Sequence, residues 1–247
     1  MGRRKRPCEP GRLRRSRAPG ISTRAGRRCT DGGRRSRRDG ARHARRGTGG
    51  RVSLLIKICG ITTAAAVEAA VAAGADAIGF VFHGPSPRNL TPARAAALAA
   101  AVPVLRFAVT LHPSPDLVDQ ILSAFRPDAW QTDATDLEQL CLPAAIQRWP
   151  VLRSGAALPD PLPGRVLFDA ARSGRGEQAD WPAAAALAPR CELILAGGIH
   201  AGNVAAAVAR VRPRGVDVSS GVECRPGIKD PAMIRDFVRA ARAALAG

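Results

Sequence analysis

Residues 192–222 read ELILAGGIHAGNVAAAVARVRPRGVDVSSGV. An apolar run at 192–196 has the length of a strand, and Gly197-Gly198 breaks it. An Ala/Val-rich stretch at 201–209 then has the length of a helix, and a second apolar run at 215–218 ends in Ser219-Ser220-Gly221. Strands that are apolar throughout are buried on both faces, and strand, small-residue loop, helix and strand in that order compose a parallel βαβ unit.

The same alternation extends back to Leu54. Strands are expected at 54–59, 77–82, 104–109, 128–131, 150–153, 165–168, 192–196 and 215–218. Helices are expected at 63–73 with Thr62 or Thr63 as N-cap, from Thr91-Pro92, at 114–125, 136–142, 181–188, 201–209 and 231–245. The fifth strand is followed by a Pro-rich passage in which no full helix is visible. Eight strands, each followed by helix or loop in about 195 residues, describe one α/β domain, a (β/α)8 TIM barrel, better than an open sheet. Barrel chemistry sits at the C-terminal ends of the strands. That rule selects Cys59, Arg88, Gln131, Asp169, Gly197-Gly198 and Ser219-Ser220-Gly221.

The chain has 247 residues and a formal charge of +18, which invites a nucleic-acid partner. The distribution argues otherwise. Residues 1–50 carry 18 Arg or Lys and three acids (Glu9, Asp31, Asp39), a net of +15, which leaves the remainder at +3. The first fifty residues have no aromatic side chain and no period, so they are expected to be a disordered Arg-rich extension. Three origins compete for it: a phosphate-binding arm, an organelle transit peptide, or translated upstream sequence with the start nearer Val52. Residues 51–247 are the expected catalytic barrel. No run approaches the roughly 18 apolar residues of a spanning helix, so no membrane partner is expected. Cys8, Cys29, Cys59, Cys141, Cys191 and Cys224 lack CxxC spacing. That excludes the usual zinc patterns and a dense disulfide framework, and fits the cytoplasm.

Two small-residue loops, after strands seven and eight, let a backbone approach an anion, so Gly197, Gly198, Ser219, Ser220 and Gly221 are candidates to hold a phosphate monoester. Cys59 closes strand one with Lys57 on the same face, taken as the interior; it is either a small core residue or a base aided by that cation. Asp169 closes strand six and is either a cap or ion-pair partner, or a general acid with a raised pKa. Arg88, in Ser86-Pro87-Arg88, is either a surface residue or a planar clamp for carboxylate or phosphate. His83, His112 and His200 fall in loops and offer little to a His-based mechanism.

The strings KICGIT (57–62), GADAIGFVF with SPR (74–82 and 86–88), LFD (167–169), LAGGI with NV (195–199, 203–204) and DVSSGVE with PGIKD (217–223, 226–230) together resemble one family, the phosphoribosylanthranilate isomerases of tryptophan biosynthesis. The resemblance implies an Amadori rearrangement of N-(5-phosphoribosyl)anthranilate, with Cys59 as base for the C2′ proton and Asp169 as acid to the furanose oxygen. It further implies that Arg88 holds the anthranilate end, that Asp217 hydrogen-bonds in the mouth, and that Gly198, Ser220 and Gly221 bind phosphate through their N–H groups; with Lys57 beside Cys59, the expected substrate-binding residues are Arg88, Asp217 and Lys57. It implies no metal or organic cofactor, a small phosphosugar-anthranilate as partner, and a monomer or homodimer. Two loops depart from the family's pattern. Gln131-Thr132-Asp133-Ala134 lacks a His, and Ser173-Gly174-Arg175-Gly176 replaces a GGTG-like string. The Arg-rich extension also has no counterpart in that pattern. Competing readings are the histidine-pathway phosphosugar isomerase, for which strand one would end in Asp rather than Cys59, and a nucleic-acid binder acting through residues 1–50.

Overall fold

The computed structural model describes residues 54–100 and 102–245, so the expectation for the extension at 1–50 lies outside them. Strands β1 (Leu55–Cys59), β2 (Ala77–Val81), β3 (Leu105–Val109), β4 (Ala129–Asp133), β5 (Gln147–Arg153), β6 (Arg165–Asp169), β7 (Glu192–Leu195) and β8 (Gly215–Val218) close into a parallel barrel in chain order. The barrel closes where β8 pairs with β1, placing Lys57 opposite Asp217. Helices α1 (Ala64–Ala73), α2 (Pro92–Leu98), α3 (Pro115–Gln120), α4 (Ala134–Gln139), α5 (Trp181–Leu187), α6 (Val204–Val211) and α7 (Pro231–Ala243) follow their strands. No helix stands between β5 and β6. The eight-stranded TIM barrel read from the sequence is therefore the fold.

Local chemistry starts the helices. The side chains of Thr63, Thr91, Ser114, Asp180 and Asp230 accept from N–H groups of the following turns, and proline occupies the first turn of α2, α3, α5 and α7. Period-two alternation then sorts the strands. Ala77, Phe107, Ala129, Trp149, Val151, Leu167 and Ile194 fill the barrel interior. Their neighbours, such as Ile56, Ile58, Phe80, Trp130 and Val166, pack outward against the helices. Gln147 and Arg165 add polar groups at the base, where Arg165 Nη1 donates to Gln147 Oε1 at 2.9 Å, and Lys57 stands in the middle of the interior. No described helix is long and apolar enough to cross a membrane.

The structure corrects several boundaries. β5 starts at Gln147 because Gln147 and Arg148 pair with Ala129 and Trp130 of β4 despite their polarity. α6 starts at Val204 rather than at 201, because Asn203 Oδ1 accepts from His200 N–H and Asn203 Nδ2 donates to the Gly198 carbonyl, holding 200–203 as a turn. α4 covers 134–139 rather than 136–142, with Leu140 already extended. The helix expected at 114–125 is α3 continued by a π-helical turn, Ile121–Phe125. A hairpin of β9 (Glu223–Arg225) and β10 (Ile228–Lys229), unforeseen from the sequence, stands between β8 and α7.

Candidate active site

The mouth opens on a cavity of about 1070 Å³ lined from nearly every strand, including Cys59, Val81, Val109, Gln131, Val151, Asp169 and Asp217. β1 delivers Lys57 and Cys59 to the same side by simple alternation. Lys57 is 0% exposed, and its Nζ donates to Asp217 Oδ1 at 2.9 Å and lies 5.1 Å from the centre of the Phe107 ring. Cys59, 6% exposed, stands beside this ammonium on the same strand face. The strand partner of Cys59 is Gly79, and a Cβ there would lie 3.0 Å from Cys59 Sγ and 3.2 Å from Lys57 Nζ. The bare glycine leaves the space that both groups occupy.

Electrostatics follow from that burial. Burial pushes the Cys59 thiol up, opposed by Lys57 and reinforced by Asp217. Burial alone would lower Lys57, but Asp217 and then Cys59 outweigh it and leave the ammonium raised. On β6, burial raises the Asp169 carboxyl above the ordinary carboxylate range, against hydrogen bonds from Ser173 and from the Ala170 N–H at 2.7 Å. The cavity thus contains a thiol with a buried cation beside it and a carboxyl inclined to keep its proton.

The glycine loops expected to bind phosphate do meet. A narrow recess of about 40 Å³ continuing from Asp169 is lined by Gly197, Gly198, Ile199, Ser219, Ser220 and residues of the loop after β6. Gly197 and Gly198 have φ of +80° and +63°, and a Cβ on Gly198 would lie 2.8 Å from Gln178 N, so the β6 loop rests directly on them. Ser220–Val222 forms one turn of 3-10 helix, whose leading N–H groups have no acceptor within the turn. Gly221 is pressed on the Ile199 carbonyl, which joins the two loops.

Arg88 is held more firmly than sequence reasoning foresaw. Its Nε and Nη2 donate to Glu223 at 2.7 and 2.8 Å, and its Nη1 donates to the Gly174 carbonyl at 3.4 Å. Glu223 also accepts from Lys229 Nζ at 2.7 Å. Both of these residues stand inside motif strings quoted above, but no local signal tied them to Arg88. Gln131, placed at the mouth by the strand rule, has an Oε1 that is buried without a hydrogen-bond partner. In the departing loops, Asp133 pairs with Arg153 at 2.6 Å, and Arg175 lines the cavity with no ion-pair partner among the described residues. Of the histidines, His83 lies at the cavity wall, whereas His112 is turned to Asp136 at 2.9 Å.

Comparison with known proteins adds independent findings. Residues 56–240 match the family model of N-(5'phosphoribosyl)anthranilate (PRA) isomerase. An N-(5'-phosphoribosyl)anthranilate isomerase of Rhodopseudomonas palustris is 41% identical over 213 residues, covering 78% of this chain and 100% of the relative. The crystal structure of a phosphoribosyl anthranilate isomerase of Thermus thermophilus superposes with a TM-score of 0.69 at 28% identity, covering 77% of this chain and 99% of that one. Another, of a phosphoribosyl anthranilate isomerase in complex with reduced 1-(o-carboxyphenylamino)-1-deoxyribulose 5-phosphate, superposes with a TM-score of 0.66 at 29% identity, covering 77% and 100%.

Proposed function

Since the chain belongs to the N-(5'-phosphoribosyl)anthranilate isomerase family, we propose that it rearranges N-(5-phosphoribosyl)anthranilate to 1-(2-carboxyphenylamino)-1-deoxyribulose 5-phosphate with Cys59 as base and Asp169 as acid. This is the third step from chorismate in tryptophan biosynthesis. The observation that carries the assignment is one continuous mouth holding a buried thiol beside an ammonium, a carboxyl raised by burial, and a glycine-lined recess.

Asp169 gives its proton to the furanose oxygen. The anilino nitrogen's lone pair then forms the C1′=N bond as the C1′–O bond breaks, leaving an open-chain iminium. Cys59, in the thiolate form that Lys57 favours and burial opposes, takes the C2′ proton; the electrons of that C–H bond become the C1′=C2′ bond of an enolamine and the C1′=N pair returns to nitrogen. Tautomerisation to the ketone completes the aldose-to-ketose change. A general acid functions best when its pKa approaches the working pH, so the raised Asp169 serves the first step. Lys57 offsets part of the burial cost of the thiolate, and Asp217 fixes Lys57 in place. Substrate anions are held at two ends. Gly198, Ser220 and Gly221 would offer N–H groups to the phosphate, with Gly197 and Ser219 shaping the recess. Arg88 would offer its terminal N–H groups to the anthranilate carboxylate.

One chain supplies every residue named, so a monomer or a homodimer is competent. The catalytic unit is residues 51–247, working in the cytoplasm on a small diffusible substrate. The test is consumption of freshly prepared phosphoribosylanthranilate by the full chain, followed as loss of substrate fluorescence. Turnover that depends on Cys59 supports the reading, and its absence with folded protein refutes it.

A further inference from the structure

Lys229 is an ammonium removed from water, with its side chain 0% exposed. It donates to the Ser219 carbonyl at 2.9 Å, to Ser219 Oγ at 3.2 Å and to Glu223 Oε1 at 2.7 Å. Isolated buried ammonium groups are costly, and three acceptors are what makes this one tolerable. Its partners point in two directions. Ser219 precedes the 3-10 turn that walls the small recess. Glu223 grips Arg88 through Nε and Nη2 at the wall of the larger cavity.

Charge decides what Arg88 can do. Arg88 and Glu223 alone would form a neutral pair, and a neutral pair has little attraction for a carboxylate. Adding Lys229 leaves the trio at +1. A guanidinium has five N–H donors. Glu223 takes one from Nε and one from Nη2, and the Gly174 carbonyl takes one from Nη1, so one N–H remains on each terminal nitrogen. The surplus charge and the remaining donors are then both available to an anion in the cavity.

We propose that Lys229 is a positioning residue that serves both ends of the substrate: it fixes Ser219 for the phosphate, and it neutralises Glu223 so that Arg88 keeps a positive charge for the carboxylate. The inference rests on the isomerase reading, and it assigns to the PGIKD string a role beyond forming strand β10. Lys229 touches neither substrate end itself. It acts through one residue on each side.

The test measures affinity of the full chain for two probes, inorganic phosphate and anthranilate, alongside isomerase KM and kcat. In Lys229→Met the trio falls to zero net charge and Ser219 loses its donor, so affinity for each probe falls about tenfold while kcat changes by less than about threefold. In the double variant Lys229→Met with Glu223→Gln the net charge returns to +1, and the amide oxygen still accepts from Arg88. Anthranilate affinity then returns to within about twofold of the starting chain, while phosphate affinity stays about tenfold weak. The single variant keeps Arg88 and Glu223 as a neutral pair, whereas the double variant leaves Arg88 opposite a neutral amide, so the single variant carries the test even where the double variant does not fold. Recovery of one probe without the other is a result that mere loss of packing cannot produce. Equal loss of both probes in the double variant, or no loss of either in both variants, overturns the proposal. Isomerase failure of the unaltered chain with the probe pattern intact would count against the isomerase reading alone.

Discussion

Gly79→Ala places one methyl group between the two groups that the reaction depends on. The new Cβ would lie 3.0 Å from Cys59 Sγ, 3.2 Å from Lys57 Nζ and 3.3 Å from Cys59 Cα, against 3.4–4 Å for ordinary contact. Gly79 does not occupy the left-handed region, so the cost is one of space rather than of backbone strain. Because one of the three neighbours is backbone and another is an ammonium anchored to Asp217, the site cannot relax by a single rotamer change. Overpacking of this kind costs about 1–3 kcal/mol. Loss of glycine freedom in the unfolded chain returns about 0.4–1 kcal/mol. A net loss of about 1–2 kcal/mol lowers Tm by about 2–8 °C in a domain of this size. Displacement of the thiol by a few tenths of an ångström lowers kcat by about tenfold, since a full ångström costs about a hundredfold. KM should hardly move, because neither substrate end touches Gly79. Gly84→Ala is the control: no atom lies within 4 Å of its Cβ and its backbone is ordinary, so it should leave kcat alone and hold or raise Tm. Thermal melts and fluorescence-followed turnover of both variants provide the comparison. A Gly79→Ala chain as stable and as fast as the unaltered one would refute the crowding of thiol and ammonium on which the site's description depends.

Three further outcomes follow from the same geometry. Asp169→Asn removes the proposed acid while keeping an acceptor for the Ala170 N–H, and should lower kcat by about 10²–10⁴; a loss under about tenfold would point to a different acid. The same variant should be more stable than the parent at neutral pH. A carboxyl whose folded pKa is raised binds more protons folded than unfolded, so it stabilises at low pH and loses that contribution as pH rises through the folded pKa. Urea melts should therefore show the gain of Asp169→Asn at neutral pH and its disappearance below the ordinary aspartate pKa. Lys57→Met removes the cation that pulls the Cys59 thiol down and leaves Asp217 to push it up, so the midpoint of iodoacetamide alkylation at Cys59 should move to higher pH. A midpoint that stays put or falls would remove Lys57 from that role.

The legible part of the molecule is the part with local signals. Runs such as 77–82 and 193–196 are apolar on both faces, which only a doubly covered strand explains, and the barrel follows from the number and spacing of such runs. Cys59, Asp169 and the two glycine loops could be placed at the mouth because each ends such a run, and Lys57 could be placed on the face of Cys59 by alternation. The first half of β5 was hidden because Gln147 and Arg148 are polar residues paired at the barrel's base, where β4 supplies the partner. The β9–β10 hairpin was hidden by Cys224-Arg225-Pro226-Gly227, which reads as turn alone. The Arg88–Glu223–Lys229 trio was hidden for another reason: Arg88 and Glu223 are 135 positions apart, and only closure of the barrel brings them within 2.7 Å. Gln131 could be placed at the mouth by its strand, but that its carbonyl oxygen has no partner is a fact of packing.

The most direct measurement is steady-state turnover of phosphoribosylanthranilate by the full chain beside Cys59→Ala. The account predicts rapid loss of substrate fluorescence by the unaltered chain, a fall in kcat of at least about 10² in Cys59→Ala, and a KM within about threefold, because the thiol acts on the C2′ proton and holds neither anion. Near-normal turnover by Cys59→Ala would contradict the assignment of the base and with it the proposed mechanism.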